Sequence, residues 1–216
     1  VHTAGRYGWR VLEPARAAGA IPLAIHPAMT FTGTSIDVQR LVDCVFAVSA
    51  PRPVLPIGQA LVVEVGGDPV VVPEESRPLY HAALAHGANH LVVLVAQAAH
   101  VLAAAGVERP GRVLEHLMAA ALDGALRSER LEAPREGEDP GPGAIAALTG
   151  PVVRGDVGTV REHLAVLDGL DLATTADVAP TYRALARSAA ARSLAAGRIG
   201  PDVAAALLDA IEGGEQ

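Results

Sequence analysis

The sequence predicts an α/β segment followed by an all-helical one. Over 5–72, short apolar runs alternate with stretches of helical spacing, the pattern of βαβ units in a mainly parallel sheet. After Pro73 strand patterns stop and helical periodicity takes over. The stretch 76–105 reads as one helix of about 30 residues, roughly 45 Å long. The texture changes near residue 74, so two domains are expected: 1–74, α/β, and 75–216, all-helical.

Val1-His2-Thr3-Ala4-Gly5 looks like the end of a buried strand running into a turn, so part of an α/β domain is expected to precede it. Helical spacing over 6–18 places Trp9, Leu12 and Ala15 or Arg16 along one side, and Pro14 would kink that helix. A strand is expected over 21–25, ending in His26-Pro27. A short helix follows over 37–42, capped by Ser35 or Thr34. A second strand is expected over 45–48, a helix over 55–65 ended by Gly66-Gly67, and a third strand over 69–72. In the helical half, 76–105 carries Pro78 in its first turn, where it is tolerated, and Gly106 closes it. Further helices are expected over 110–127, 144–148, 156–168, 175–196 and 201–212. The stretch 129–143 carries charge, Pro and Gly, and reads as an exposed loop.

Composition excludes several classes. The chain has 216 residues, half of them hydrophobic and 3% aromatic, and a net charge of −7. That apolar fraction supports a core and argues against disorder. No basic stripe with interleaved aromatics appears, so a nucleic-acid surface is not expected. All 17 basic residues are Arg, which removes lysine Schiff-base chemistry and the P-loop lysine. Cys44, the single cysteine, fits a reducing cytoplasm. The most apolar run, 91–96, is far shorter than a membrane span. A cytoplasmic protein that engages neither membrane nor nucleic acid is expected.

Three stretches could carry chemistry. His26-Pro27-Ala28-Met29-Thr30-Phe31 follows directly on a strand, and ligands of open α/β sheets bind beyond strand carboxyl ends. His26 there could donate, accept or carry a proton; its alternative is to cap the strand. His2, Thr3 and Gly5 occupy the equivalent place after the preceding strand. On the long helix, His86, His90, Gln97 and His100 form a polar stripe with Asn89 beside it. Four unpaired buried polar groups would cost on the order of 1–3 kcal/mol each, so the stripe should line a cleft or interface, or pair within itself. His86 and His90 are spaced for zinc, but Gly87 stands where a metalloprotease needs Glu and no third ligand is evident; no metal site is expected. Finally, Thr149 and Arg154 flank a turn in which Asp156 is a good helix cap, and Arg154 suits a carboxylate or phosphate, or only a nearby acid.

His2-Thr3-Ala4-Gly5, the segment from His26 to Phe31, Tyr80-His81-Ala82-Ala83 through Asn89, and Leu148-Thr149-Gly150-Pro151 with Arg154-Gly155-Asp156 occur in this order. With them the chain resembles, over nearly its whole length, a bacterial family that joins a Rossmann-like domain to domain of unknown function 2520. That family is similar in architecture to pyrroline-5-carboxylate reductase, deazaflavin-dependent NADP oxidoreductases and 6-phosphogluconate dehydrogenase. The resemblance implies an NAD(P)-linked oxidoreductase that dimerises through its helical domain. The resemblance does not supply the substrate; the leading expectation is that NADP or NAD lies over His2, Thr3 and Gly5, and that a small acidic or imine substrate is held by Thr30, Asn89, Thr149 and Arg154. Two departures matter. No G-x-G-x-x-G occurs, so the pyrophosphate-binding half is absent from this sequence. Related dehydrogenases also place Lys four residues before an Asn on the interdomain helix, where this chain has Ala85 before Asn89. Proton transfer would fall to His26, His86 or water. The competing expectation is a non-catalytic homodimeric module.

Overall fold

The computed structural model describes residues 1–129, 143–170 and 173–213. Most of the expected 129–143 loop lies outside the described residues. Two compact units divide the chain, Val1–Val92 and Val93–Gln216. The sequence boundary near 74 marks where strands cease, whereas the units part within the long helix.

The first unit is built on three strands in the order β1 (Ala24–Pro27), β2 (Val45–Ser49) and β3 (Asp68–Val71). The sheet is mixed. β2 and β3 run parallel, as expected, with Val45 opposite Asp68 and Val48 opposite Val71. β1 and β2 run antiparallel, pairing Ala24 with Ser49 and Pro27 with Phe46, which corrects the mainly parallel reading. The connection explains why. Its helix α2 (Ile36–Arg40) has five residues and rises only about 7.5 Å, too little to carry the chain back along β1, so it re-enters at the same end. Between β2 and β3 the ten-residue helix α3 (Leu55–Glu64) makes the full crossover. His2 forms a parallel bridge to Ala24, its N–H bonding Leu23 O at 3.0 Å and its carbonyl accepting from Ile25 at 2.9 Å, so the opening residues are strand-like as expected.

Leu23, Ile25, Phe46, Val48 and Val62 form this unit's core. Gly58 lets α3 lie directly on the sheet: a Cβ there would stand 2.8 Å from Val48 Cγ1. The expected helix over 6–18 is broken into a 3-10 turn, Trp9–Leu12, and a short α-helix, α1 (Glu13–Ala17). Pro14 lies in the first turn of the second piece, where its missing N–H costs nothing. Neither Ser35 nor Thr34 caps α2 through its side chain. Instead the buried Asp37 carboxylate reaches back to the Thr32 and Gly33 N–H groups, each at 2.8 Å, and to the Thr32 hydroxyl.

The long helix, α4, spans Glu74–Ala104. By length and composition it could cross a membrane, a property not visible in the short 91–96 run and a correction to the reading that no segment is long enough. Only 6% of its most apolar window is buried. Its polar stripe is accounted for by partners: His86 and His90 pair with each other, Nδ1 to Nδ1 at 3.0 Å. Gln97 is buried and donates to Asp177 Oδ2 at 2.7 Å and Thr181 Oγ1 at 3.0 Å, and His100 meets the Thr174 carbonyl at 3.1 Å.

In the second unit, α5 (Pro110–Glu129) is followed by a 3-10 turn at Gly143–Ala147 and four helices. These are α6 (Pro151–Arg154), α7 (Val157–Asp168), α8 (Val178–Ala195) and α9 (Pro201–Glu212). Val160, Leu164, Ala186, Ala190, Leu207 and Ile211 form the core among α7, α8 and α9. The turn from α6 to α7 is closed by Gly155, left-handed at φ 69°, and Asp156, whose carboxylate accepts from the Thr159 N–H at 3.0 Å, as the capping argument expected.

Candidate functional site

The site is built on one buried cation. Arg77, in the first turns of α4, is completely buried. Its Nε donates to Ser49 Oγ at 2.7 Å, and its Nη2 donates to the Ala24 and Ala47 carbonyls, both at 3.0 Å. Ser49 in turn donates to the Val72 carbonyl. One guanidinium therefore ties β1, β2 and the chain leaving β3 to the start of the helix. Burial pulls its pKa down, opposed by Tyr80 and Glu74. Glu74 fixes the opposite edge, accepting from the Trp9 N–H at 2.8 Å and the Arg10 N–H at 3.2 Å.

One turn further along α4, Tyr80 Oη lies 2.9 Å from His26 Nδ1, their rings edge to face. The Arg77 guanidinium carbon sits 5.8 Å from the centre of the Tyr80 ring. His26 is half-buried. Burial first, then the charge of Arg77 and the neighbouring His81, lower its pKa, while burial raises that of Tyr80. The imidazole is thus neutral at pH 7.

A cleft of about 330 Å³ opens beside this pair. The end of β1 and its loop contribute His26, Ala28, Met29 and Thr30; the helix contributes His81, Leu84, Ala85, Ala88 and Asn89. No carboxylate lines it. In an uninterrupted α-helix His81 and Asn89 would point about 80° apart. Residues Ala85–Asn89 form a π-helical turn, whose wider winding takes up most of that angle and returns Asn89 to the face of His81. The anchored Asp37 holds the Thr32–Gly33 turn close after Thr30. Burial opposes its charge, but the Thr32 hydroxyl and the Thr32, Gly33 and Thr34 N–H groups win and keep its pKa below the usual carboxylate range.

His26, Thr30 and Asn89 line one cleft. His86 is not among the lining residues; it is exposed and bonded to His90. Gly5 is buried against the site: a Cβ on it would stand 2.8 Å from His26 Nε2 and 3.0 Å from His81 Cδ2. His2 commits both ring nitrogens locally, Nδ1 accepting from the Ala4 N–H at 3.2 Å and Nε2 donating to the Gly8 carbonyl at 2.8 Å. Its main-chain N–H and carbonyl are bonded to Leu23 and Ile25, so exposed Thr3 is what this stretch presents most openly to a cofactor. Thr149 and Arg154 belong to the second unit, where both are exposed, Thr149 just before α6 and Arg154 at its end. Among the described residues, no group of three or more His, Cys, Asp or Glu is placed to hold a metal. Sequence reasoning missed Arg77, Tyr80 and His81 as site residues. The four-residue steps from Arg77 to His81, Ala85 and Asn89 were the available signal.

A small mixed sheet leading into a helical region with one long helix is an architecture shared with known structures. The chain matches a crystal structure of protein TM1727 from Thermotoga maritima with a TM-score of 0.68 and 20% identity, covering 90% of this chain and 68% of that one. It also matches a Bacteroides fragilis protein described as "putative NADP oxidoreductase BF3122", with a TM-score of 0.59 and 25% identity, covering 87% of this chain and 63% of that one. No curated protein matches it. The chain belongs to the family described as Domain of unknown function (DUF2520), whose model matches residues 44–189.

Proposed function

We propose that this chain is the substrate-binding and assembly part of an NAD(P)-dependent oxidoreductase acting on a small acidic or imine substrate. The observation that carries the reading is the cleft itself: two imidazoles, Asn89 and Thr30, no carboxylate, and a buried Arg77 behind them. Such a lining favours a ligand with oxygen acceptors, and its volume suits a small one. The likeness to a protein described as a "putative NADP oxidoreductase" supports the redox class. Nicotinamide would lie along the main chain of His2, Thr3 and Gly5, beside His26. Thr30 and Asn89 would orient the substrate, and His26 would polarise the bond that receives hydride.

The chain is proposed to act as a cytoplasmic homodimer, away from membranes and nucleic acid. Leu79 is 75% exposed, Val92 67% and Leu117 65%, so apolar faces of α4 and α5 await a cover. Imidazoles and Gln97 along α4 favour a second protein surface over lipid. This exposed face is also what favours the competing reading, a non-catalytic dimeric module. NADPH titration separates the two. A protein that joins this chain to a glycine-rich nucleotide half should bind NADPH saturably and oxidise it with a 2-oxo or imino acid. Saturable binding without turnover on any such acid, or no binding, favours the module.

A further inference from the structure

We propose that Tyr80 is a positioning residue that holds His26 as its Nε2–H tautomer, making His26 the hydrogen-bond donor met by a carbonyl or carboxylate oxygen in the cleft. This deepens the oxidoreductase reading by naming what the cleft recognises, and it rests on that reading only for the step that follows binding.

The direction of the Tyr80–His26 bond decides the matter. A phenol is the stronger donor and an imidazole nitrogen the stronger acceptor, so Oη–H to Nδ1 is the favoured sense. The Arg77 guanidinium beside the Tyr80 ring works in the same sense, since a nearby cation weakens the phenol oxygen as an acceptor. The opposite sense would leave the Tyr80 hydrogen needing another acceptor, and among the described residues Oη has no hydrogen-bond partner besides His26. With Nδ1 accepting, a neutral ring carries its hydrogen on Nε2.

Nε2 is free to use it. It has no partner among the described residues, yet it is not one of the buried unpaired atoms, which are Arg77 Nη1 and Ser193 Oγ. It is therefore not fully buried. Gly5 stands beside it, and the missing side chain matters, because a Cβ there would come within 2.8 Å of Nε2. The cleft offers an incoming cation no carboxylate, but an oxygen entering it would meet His26, Asn89 and Thr30, which all line it. Protonating His26 would place a second cation near Arg77, so the ring serves as a neutral donor rather than a base.

The test is long-range 1H–15N NMR of the His26 ring in the wild type and in Tyr80→Phe, which keeps the ring and removes the hydroxyl. The wild type should show an unprotonated Nδ1 and a protonated Nε2 at pH 7, and Tyr80→Phe a mixture of tautomers. A wild-type ring protonated on Nδ1, or an unchanged tautomer in Tyr80→Phe, overturns the proposal. As a second arm, pyruvate is titrated as the simplest 2-oxo acid. The Nε2 resonance should shift saturably, with affinity about tenfold weaker in Tyr80→Phe, the equivalent of roughly 1.4 kcal/mol. No shift overturns the donor role. Neither arm needs cofactor, so failed NADPH turnover with both results intact would reject the oxidoreductase reading while leaving this one standing.

Discussion

Gly5 and His26 are packed so closely that one additional carbon on Gly5 would stand 2.8 Å from His26 Nε2. His26 is held by Tyr80, and His2, three residues before Gly5, is bridged to Ala24. The site can thus be disturbed by the smallest possible side chain. Gly5→Ala should push His26 and His81 off their positions and lower stability by about 1–3 kcal/mol, as overpacking does. Urea denaturation measures the loss, and an unchanged midpoint would mean that the two imidazoles yield freely.

Arg77 should be indispensable to the first unit. Arg77→Met removes three charge-assisted hydrogen bonds and leaves Ser49 Oγ and the Ala24 and Ala47 carbonyls short of a donor. The expected cost is about 3 kcal/mol or more. Arg77→Lys should rescue little, because a single ammonium cannot match a planar fork aimed at partners on two strands. Thermal denaturation of the two variants should give similarly depressed midpoints.

The lowered pKa of His26 makes a signed prediction about acid. The unfolded chain takes up a proton near the ordinary histidine value of about 6.5, while the folded ring, half-buried and facing Arg77, His81 and Tyr80, resists it. Between those two values the unfolded state binds more protons, so stability falls as pH drops below about 6.5 and is restored above it. His26→Ala should flatten that part of the stability profile between pH 7.5 and 5. A profile as steep as the wild type's would assign the acid sensitivity to another group.

Exposed apolar side chains on α4 and α5 should be covered by a second copy. Sedimentation velocity at micromolar concentration should give a dimer. Val92→Asp or Leu117→Glu should weaken association by about tenfold or more while leaving helical content intact. A wild-type monomer would remove the assembly from the proposed function.

Much of the element order could be read from the sequence. The helix expected over 76–105 is α4, and those over 110–127, 156–168 and 201–212 appear within a few residues, because unbroken apolar periodicity bounded by Gly and Pro is a local signal. The strand-end position of His26 and the capping role of Asp156 were equally local. What the sequence could not fix was direction and partnership. The apolar pattern of β1 is the same whether it pairs parallel or antiparallel, so only the short return through α2 decided the mixed sheet. An Arg beside a helix start looks solvated until two strand carbonyls and a serine hydroxyl close around it, as they do on Arg77. His86 and His81 are both histidines of one helix, and only a π-helical turn in its winding decided which of them, with Asn89, faces the cleft. Sequence spacing specifies helical faces to within an ideal 3.6-residue turn. Tertiary packing sets the departures from that ideal, and here the departure assembles the site.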